Sequence, residues 1–391
     1  MEFFRYSAPD ARCTGRQEPS NEDRVYYLIF LIGVFSFYKF NKKEKMYTPA
    51  IKFENDKLTL IDQTLLPNQL KYIPITTLEE CIEAIKSLRV RGAPAIGICA
   101  AYGLFTVANS ISSKPYTEFK DQMDTTCDLL FKSRPTAVNL GWAISRIKSI
   151  YAKNKNLPVP EIIALIKEEA IKIHHEDKDF CEKMGNVGLE IVPNPSNIIT
   201  HCNAGSLATG GWGTALGVIY AAKEQNYNIH VYVDETRPLG QGARLTLWEL
   251  MHNDIACTLI TDSMSGSLMK DEKIDLVLFG ADRISKNGDV ANKIGTYNLA
   301  ALARLHGIPC YAVAPSSTFD MDLESGDKIE IEQRNSNEIL HIYGYNDNLR
   351  DEVEVYNPAF DVTPAEFLSG IITEQGIIKQ PISENLPKLI K

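Results

Sequence analysis

Two titratable side chains occupy matching places in this sequence. Cys202 closes the β-like run "NIITHC", and Asp282 closes "DLVLFGAD". If a helix begins in the small residues behind Cys202, its free N–H groups and dipole favour a thiolate and lower the thiol pKa. An arbitrary cysteine is more often a small buried hydrophobe, and a strand-end aspartate more often caps the next helix. Neither residue decides the matter alone. A thiol and a carboxylic acid at comparable strand ends can nevertheless converge on one cleft as an acid/base pair.

Polar and cationic residues gather at four further places, each ahead of a helical pattern. "RVRGAPAIG" sets Arg91 and Gly92 before Pro94, where free N–H groups beside a guanidinium suit an anion. Its plain alternative is a helix start with a salt-bridged arginine. "KSRPTAVNLGW" offers Arg134 before another proline, and "DETRPLGQGARLT" adds Asp234, Glu235, Arg237 and Gln241 after a strand. "NGDVANKIGTYNLA" places Asn292 and Lys293 before Gly295 and a helix. Together these clusters point to a phosphorylated small molecule. A dinucleotide fits less well, because Gly210, Gly211 and Gly213 lie well beyond the strand end and Gly211-x-Gly213-x-x-x-Gly217 departs from the fingerprint. "HHEDKD" (His174 to Asp179) reads as a solvated helix face rather than a metal cluster. His201 and Cys202 are neighbours in an extended segment and face opposite sides.

The elements that must carry these residues change in kind along the chain. Residues 46 to about 190 hold apolar positions at helical spacing after a short β opening. From about Asn197, short β-branched runs alternate with helical ones, the pattern of a parallel sheet with helices on both faces. The expected fold is α/β: a Rossmann-like parallel-sheet domain over 191–391, a smaller, mostly helical domain over 46–190, and an N-terminal extension over 1–45. Ligands of such sheets sit beyond the carboxyl ends of the strands.

With 391 residues and 44% hydrophobic content, the chain has the composition of an ordinary globular enzyme. A formal charge of −9 argues against a nucleic-acid partner. Eight cysteines (Cys13, Cys81, Cys99, Cys127, Cys181, Cys202, Cys257, Cys310) show no C-x-x-C pair, which argues against a structural metal or a disulfide framework and for a reducing, cytoplasmic setting. "VYYLIFLIGVFSFYKF" (Val25 to Phe40) is apolar but shorter than the ~20 residues of a spanning helix. A short anchor is the lesser reading, and an extension ahead of a natural start at Met46 the greater.

"RVRGAPAIG", "SRPTAVNL", "THCNAGSLATGGWGTALGVI", "DETRPLGQGARLTLWEL", "GADRISKNGDVANKIGTYNLA", "APSSTFD" and "NPAFDVTPAE" resemble, in order, the signature blocks of the S-methyl-5-thioribose-1-phosphate isomerases of methionine salvage. The resemblance spans roughly Tyr47 to the C-terminus. It implies Asp282 as catalytic acid/base with Cys202 as its partner, and substrate contacts from Arg91, Gly92, Ala93, Arg134, Gln241, Asn292 and Lys293. It also implies a homodimer and no metal or organic cofactor. Ribose-1,5-bisphosphate isomerases and the non-catalytic regulatory subunits of the initiation factor two exchange factor share the α/β domain, and stand as the alternatives.

Overall fold

The computed structural model describes residues 47–343 and 352–390. The extension and its apolar run lie outside the described residues. Three short strands, β1 (Ile51–Glu54), β2 (Lys57–Ile61) and β3 (Tyr72–Ile75), form an antiparallel sheet at the start. Five helices follow: α1 (Leu78–Lys86), α2 (Ala93–Ser110), α3 (Tyr116–Phe131), α4 (Val138–Lys153) and α5 (Val159–Gly188). Thr77 starts α1 with a capping box, its hydroxyl accepting from Glu80 N–H while the Glu80 carboxylate accepts from the backbone at Thr77. α2 is apolar all round, and long and apolar enough in composition to cross a membrane, but twelve of its residues are buried. It is the central helix of the first core, packed against α4 and α5.

The larger sheet is built from β4 (Ser196–His201), β5 (Ile229–Asp234), β6 (Cys257–Ile260), β7 (Leu276–Phe279), β10 (Cys310–Val313), β13 (Gly370–Thr373) and β14 (Gly376–Lys379). Its order is β14-β13-β10-β7-β4-β5-β6, parallel throughout except for β14 at one edge. Alternate residues of the inner strands feed two separate cores. Ile198, Leu276 and Leu278 pack with α6 (Ala215–Glu224), while Ile199, Val277 and Phe279 pack with α9 (Thr296–Leu305). Burial on both faces explains why these strands read as continuous apolar runs. Among the described residues the other α-helices are α7 (Leu247–His252), α8 (Ser265–Lys270), the short α10 (Asn337–Leu340) and α11 (Ile382–Leu389).

A small four-stranded sheet, ordered β11-β8-β9-β12, stands beyond the carboxyl end of β7. It comprises β8 (Arg283–Ser285), β9 (Val290–Lys293), β11 (Phe319–Asp320) and β12 (Phe360–Thr363). β12 runs antiparallel to β9, setting Phe360 opposite Lys293 and Asp361 opposite Asn292. The Asp361 carboxylate then accepts from Gly295 N–H at 2.7 Å and Tyr297 N–H at 3.0 Å, capping the start of α9.

Candidate active site

β4 and β7 are neighbours in the large sheet, with His201 paired to Phe279. Cys202 and Asp282 therefore leave the same sheet edge side by side, and both line one cleft of about 850 Å³, mouth included. Cys202 has a left-handed backbone, with φ at 61°. That conformation costs a non-glycine residue ~1–3 kcal/mol unless its surroundings impose it. Two threonines do so: Cys202 N–H donates to Thr236 Oγ1 at 2.8 Å, and Thr246 Oγ1 donates to the Cys202 carbonyl at 2.6 Å. Thr236 is itself left-handed at 64°, held by Asp262, whose carboxylate accepts from the N–H groups of Thr236 and Arg237 at 2.8 Å each.

The residues expected to contact substrate line the same cleft: Arg91, Gly92, Ala93, Arg134, Gln241, Asn292 and Lys293. Gly92 is required where it stands. Its φ is 93°, and a Cβ there would lie 2.5 Å from the Ala208 side chain, so only glycine lets the start of α2 approach the loop behind Cys202. Arg91 donates to Asn203 through Nη1 to Oδ1 at 2.9 Å and through Nη2 to the backbone carbonyl at 2.7 Å. Arg134, in the turn after α3, donates instead to the Glu332 carboxylate at 2.9 Å. Gln241 is buried, and its Oε1 has no hydrogen-bond partner among the described residues. Asn292 donates to Thr296 Oγ1 at 3.0 Å, and Lys293 Nζ lies 5.0 Å from the centre of the Phe360 ring.

Burial governs the titrations here. It pushes the Asp282 carboxyl above its ordinary value, against the pull of Lys293, Arg134 and Arg91. It pushes the Cys202 thiol up as well, with Arg91 and Lys293 drawing it back and Asp282 adding to the rise. Lys293 is lowered by the same desolvation. The expected lowering of the thiol is thus overturned. No helix begins behind Cys202: a 3₁₀ turn at Ser206–Ala208 and a bridge between Gly205 and Gly213 intervene before α6 starts at Ala215.

Other expectations also change. The "HHEDKD" face is not wholly solvated: His174 Nδ1 lies 3.0 Å from the Tyr102 hydroxyl, and buried Asp177 accepts from Gly210 N–H at 2.6 Å. Burial lifts the Asp177 carboxyl to about 7. Of the cluster after β5, only Gln241 reaches the cleft. Asp234 turns to His201 Nδ1 at 3.0 Å, and Arg237 donates to the carbonyls of Pro238 and Ile339. His201 also places Nε2 2.9 Å from the Ile294 carbonyl. Burial pulls its imidazole down, but Asp234 outweighs that and raises it above the ordinary value. His201, Asp234 and Asp262 cluster closely enough for a cation, yet these internal bonds already engage both imidazole nitrogens and both Asp262 oxygens. Arg334 and Thr318 line the cleft without having been singled out.

The model of the initiation factor 2 subunit family matches residues 89–380. A methylthioribose-1-phosphate isomerase of Geobacter sulfurreducens is 48% identical over 329 residues, covering 84% of this chain and 95% of that one. The chain belongs to the methylthioribose-1-phosphate isomerase family. Another isomerase relative, from Caldicellulosiruptor saccharolyticus, is 50% identical, with 86% and 98% covered. The crystal structure of a 5-methylthioribose 1-phosphate isomerase from Pyrococcus horikoshii OT3 superimposes with a TM-score of 0.82 at 44% identity, covering 90% of this chain and 98% of the other. An A. fulgidus chain described as translation initiation factor eIF-2B, subunit delta, gives 0.77 at 42% identity, covering 88% and 99%.

Proposed function

We propose that this chain converts S-methyl-5-thio-α-D-ribose 1-phosphate to S-methyl-5-thio-D-ribulose 1-phosphate in methionine salvage. The observation that carries the reading is the common cleft in which Cys202 and Asp282, from paired strands, meet Arg91, Arg134 and Lys293. Three cations suit a phosphate, and two desolvated acids suit proton transfer.

The reaction is hard for a physical reason. Phosphate on the anomeric oxygen blocks the spontaneous ring opening that exposes an aldehyde in ordinary sugars. Protonated Asp282 donates to the ring oxygen as the bond from C1 to that oxygen breaks, and burial, by raising its carboxyl, favours that form. Ionised Cys202 then removes the proton from C2, giving an enol phosphate. Return of a proton to C1, with loss of the C2 hydroxyl proton, leaves the ketose. A direct hydride shift from C2 to C1 is the competing route. Both build positive character at C1, and the Asp282 carboxylate left after ring opening stabilises it.

The large sheet is read as a Rossmann-like domain beginning near residue 191, with residues 46–190 as the helical domain. The parallel strand order supports this. The described cysteines are free, including Cys81 and Cys99 with sulfurs 3.7 Å apart, which supports a cytoplasmic setting. A homodimer completes the reading, tested by sedimentation for a two-chain particle.

Incubation of the purified protein with each sugar phosphate tests the activity. Ketose product is expected from the methylthio substrate, and its absence from folded protein would favour the alternative of a non-catalytic regulatory subunit. Cys202→Ala and Asp282→Asn should each lower turnover ~100-fold or more at unchanged circular dichroism. Near-normal turnover in either variant removes the role given to that residue.

A further inference from the structure

Glu249, on α7, is 1% exposed. Its carboxylate accepts from five donors among the described residues, all uncharged. Oε1 takes Asn203 Nδ2 at 2.7 Å and Leu207 N–H at 3.3 Å. Oε2 takes Ser206 N–H and Ser206 Oγ, both at 2.7 Å, and the Tyr220 hydroxyl at 3.0 Å. A buried carboxylate survives only with this kind of saturation. Four of the five donors lie on one loop, residues 203–207, directly behind Cys202. Gly205 makes room for the contact, since a Cβ there would stand 2.5 Å from both carboxylate oxygens.

A carboxylate only accepts, so Asn203 must present its NH₂ group to Glu249. Its carbonyl oxygen is then obliged to face the other way, where Arg91 Nη1 donates to it. Reversing the amide would set an NH₂ group against a guanidinium and leave a buried carboxylate oxygen short of a donor. The charge of Glu249 thus fixes the side-chain orientation on which Arg91 rests.

We propose that Glu249 is a positioning residue for the anion-binding end of the cleft, acting through Asn203 to hold the Arg91 guanidinium toward the substrate phosphate. The assignment rests on the phosphate-binding role given to Arg91 above. Thr246 Oγ1 accepts from the same Asn203 amide at 3.2 Å, but the bonds that clamp Cys202, from its N–H to Thr236 and from the Thr246 hydroxyl to its carbonyl, do not include the Glu249 carboxylate. Loss of the Glu249 charge therefore falls mainly on substrate affinity and less on turnover.

The test is a double-mutant cycle on the full chain. Glu249→Gln keeps the shape but places an NH₂ group among donors. It should raise KM, and the inhibition constant of inorganic phosphate, by roughly tenfold, with kcat changed by less than about threefold. In an Arg91→Ala background the same change should add nothing to either constant. A Glu249→Gln effect that multiplies fully on top of Arg91→Ala, or a loss of kcat at unchanged KM, overturns the proposal. If Glu249→Gln does not fold, Asn203→Ala takes its place in the cycle, with the same expected and overturning outcomes. Should Arg91→Ala alone leave phosphate inhibition untouched, it is the phosphate role of Arg91 that fails, and the positioning role falls with it.

Discussion

Arg91 and Arg134 reach one cleft from opposite kinds of support. Arg91 leans on Asn203, a neutral amide, at 2.9 and 2.7 Å, and the nearest carboxylate in that chain of contacts is one residue further back. Arg134 leans directly on Glu332, which also accepts from Arg334 at 2.8 Å. An arriving phosphate meets undiminished positive charge at the first arginine. At the second it must share or displace a carboxylate already in place. Residue type alone makes these two positions look equivalent, and their partners make them different.

Substitution separates them by size and then by sign. Arg91→Ala should raise KM on the order of 100-fold, because charge-assisted bonds without a local competitor are lost. A change below fivefold, in steady-state kinetics, would put the anion elsewhere. Arg134→Ala should raise KM only about tenfold, since the arginine already spends part of its bonding on Glu332. Equal effects at the two positions dissolve the contrast. Glu332→Gln should act the other way, lowering KM roughly threefold by removing the competitor; an increase in KM would show that the carboxylate orders Arg134 more than it opposes substrate.

The pH profile offers the finest discrimination. Activity needs Asp282 protonated and Cys202 ionised, so kcat/KM falls in acid as the thiolate disappears and in alkali as the carboxyl proton is lost. A thiol ordinarily titrates above a carboxyl and burial raises both here, so the acid limb follows Asp282 and the alkaline limb Cys202, as values of the pair. Arg91 pulls both groups down, whereas Arg134 acts on Asp282. Removing a cation raises the acids it faced. Arg134→Ala should therefore move the acid limb upward alone, and Arg91→Ala should move both limbs upward. Identical profiles for the two variants would deny the separate pairings.

The large sheet was legible because β4, β5, β6, β7 and β10 are short runs rich in β-branched and apolar residues, broken by amphipathic helices. Cys202 and Asp282 could be singled out for the same reason, since each follows such a run. The small sheet was not legible. Its strands are two to four residues long, and β9 and β12 meet only through pairing across almost seventy residues. Glu332 and Arg334 end the short alternating run that starts at Ile329, but nothing local in it tied them to Arg134, almost two hundred residues earlier. The glycine run behind Cys202 suggested a helix entrance, but Gly205 and Gly213 pair with each other instead and delay α6. Asp177 was misjudged because a run of charged residues hides an inward pair, His174 and Asp177, three apart on one helix side.

Cys202 and Asp282 are rooted on hydrogen-bonded parallel strands, whose separation in any sheet is ~4.8 Å. The points from which proton donor and acceptor set out are accordingly written into backbone geometry, Cys202 one residue beyond β4 and Asp282 three beyond β7. Arg91 and Arg134, carried by the helical stretch, have no such ruler. Adjustment to a passing sugar then falls first on the grip on its phosphate, while the two reacting groups start from anchor points set when the sheet first zipped together.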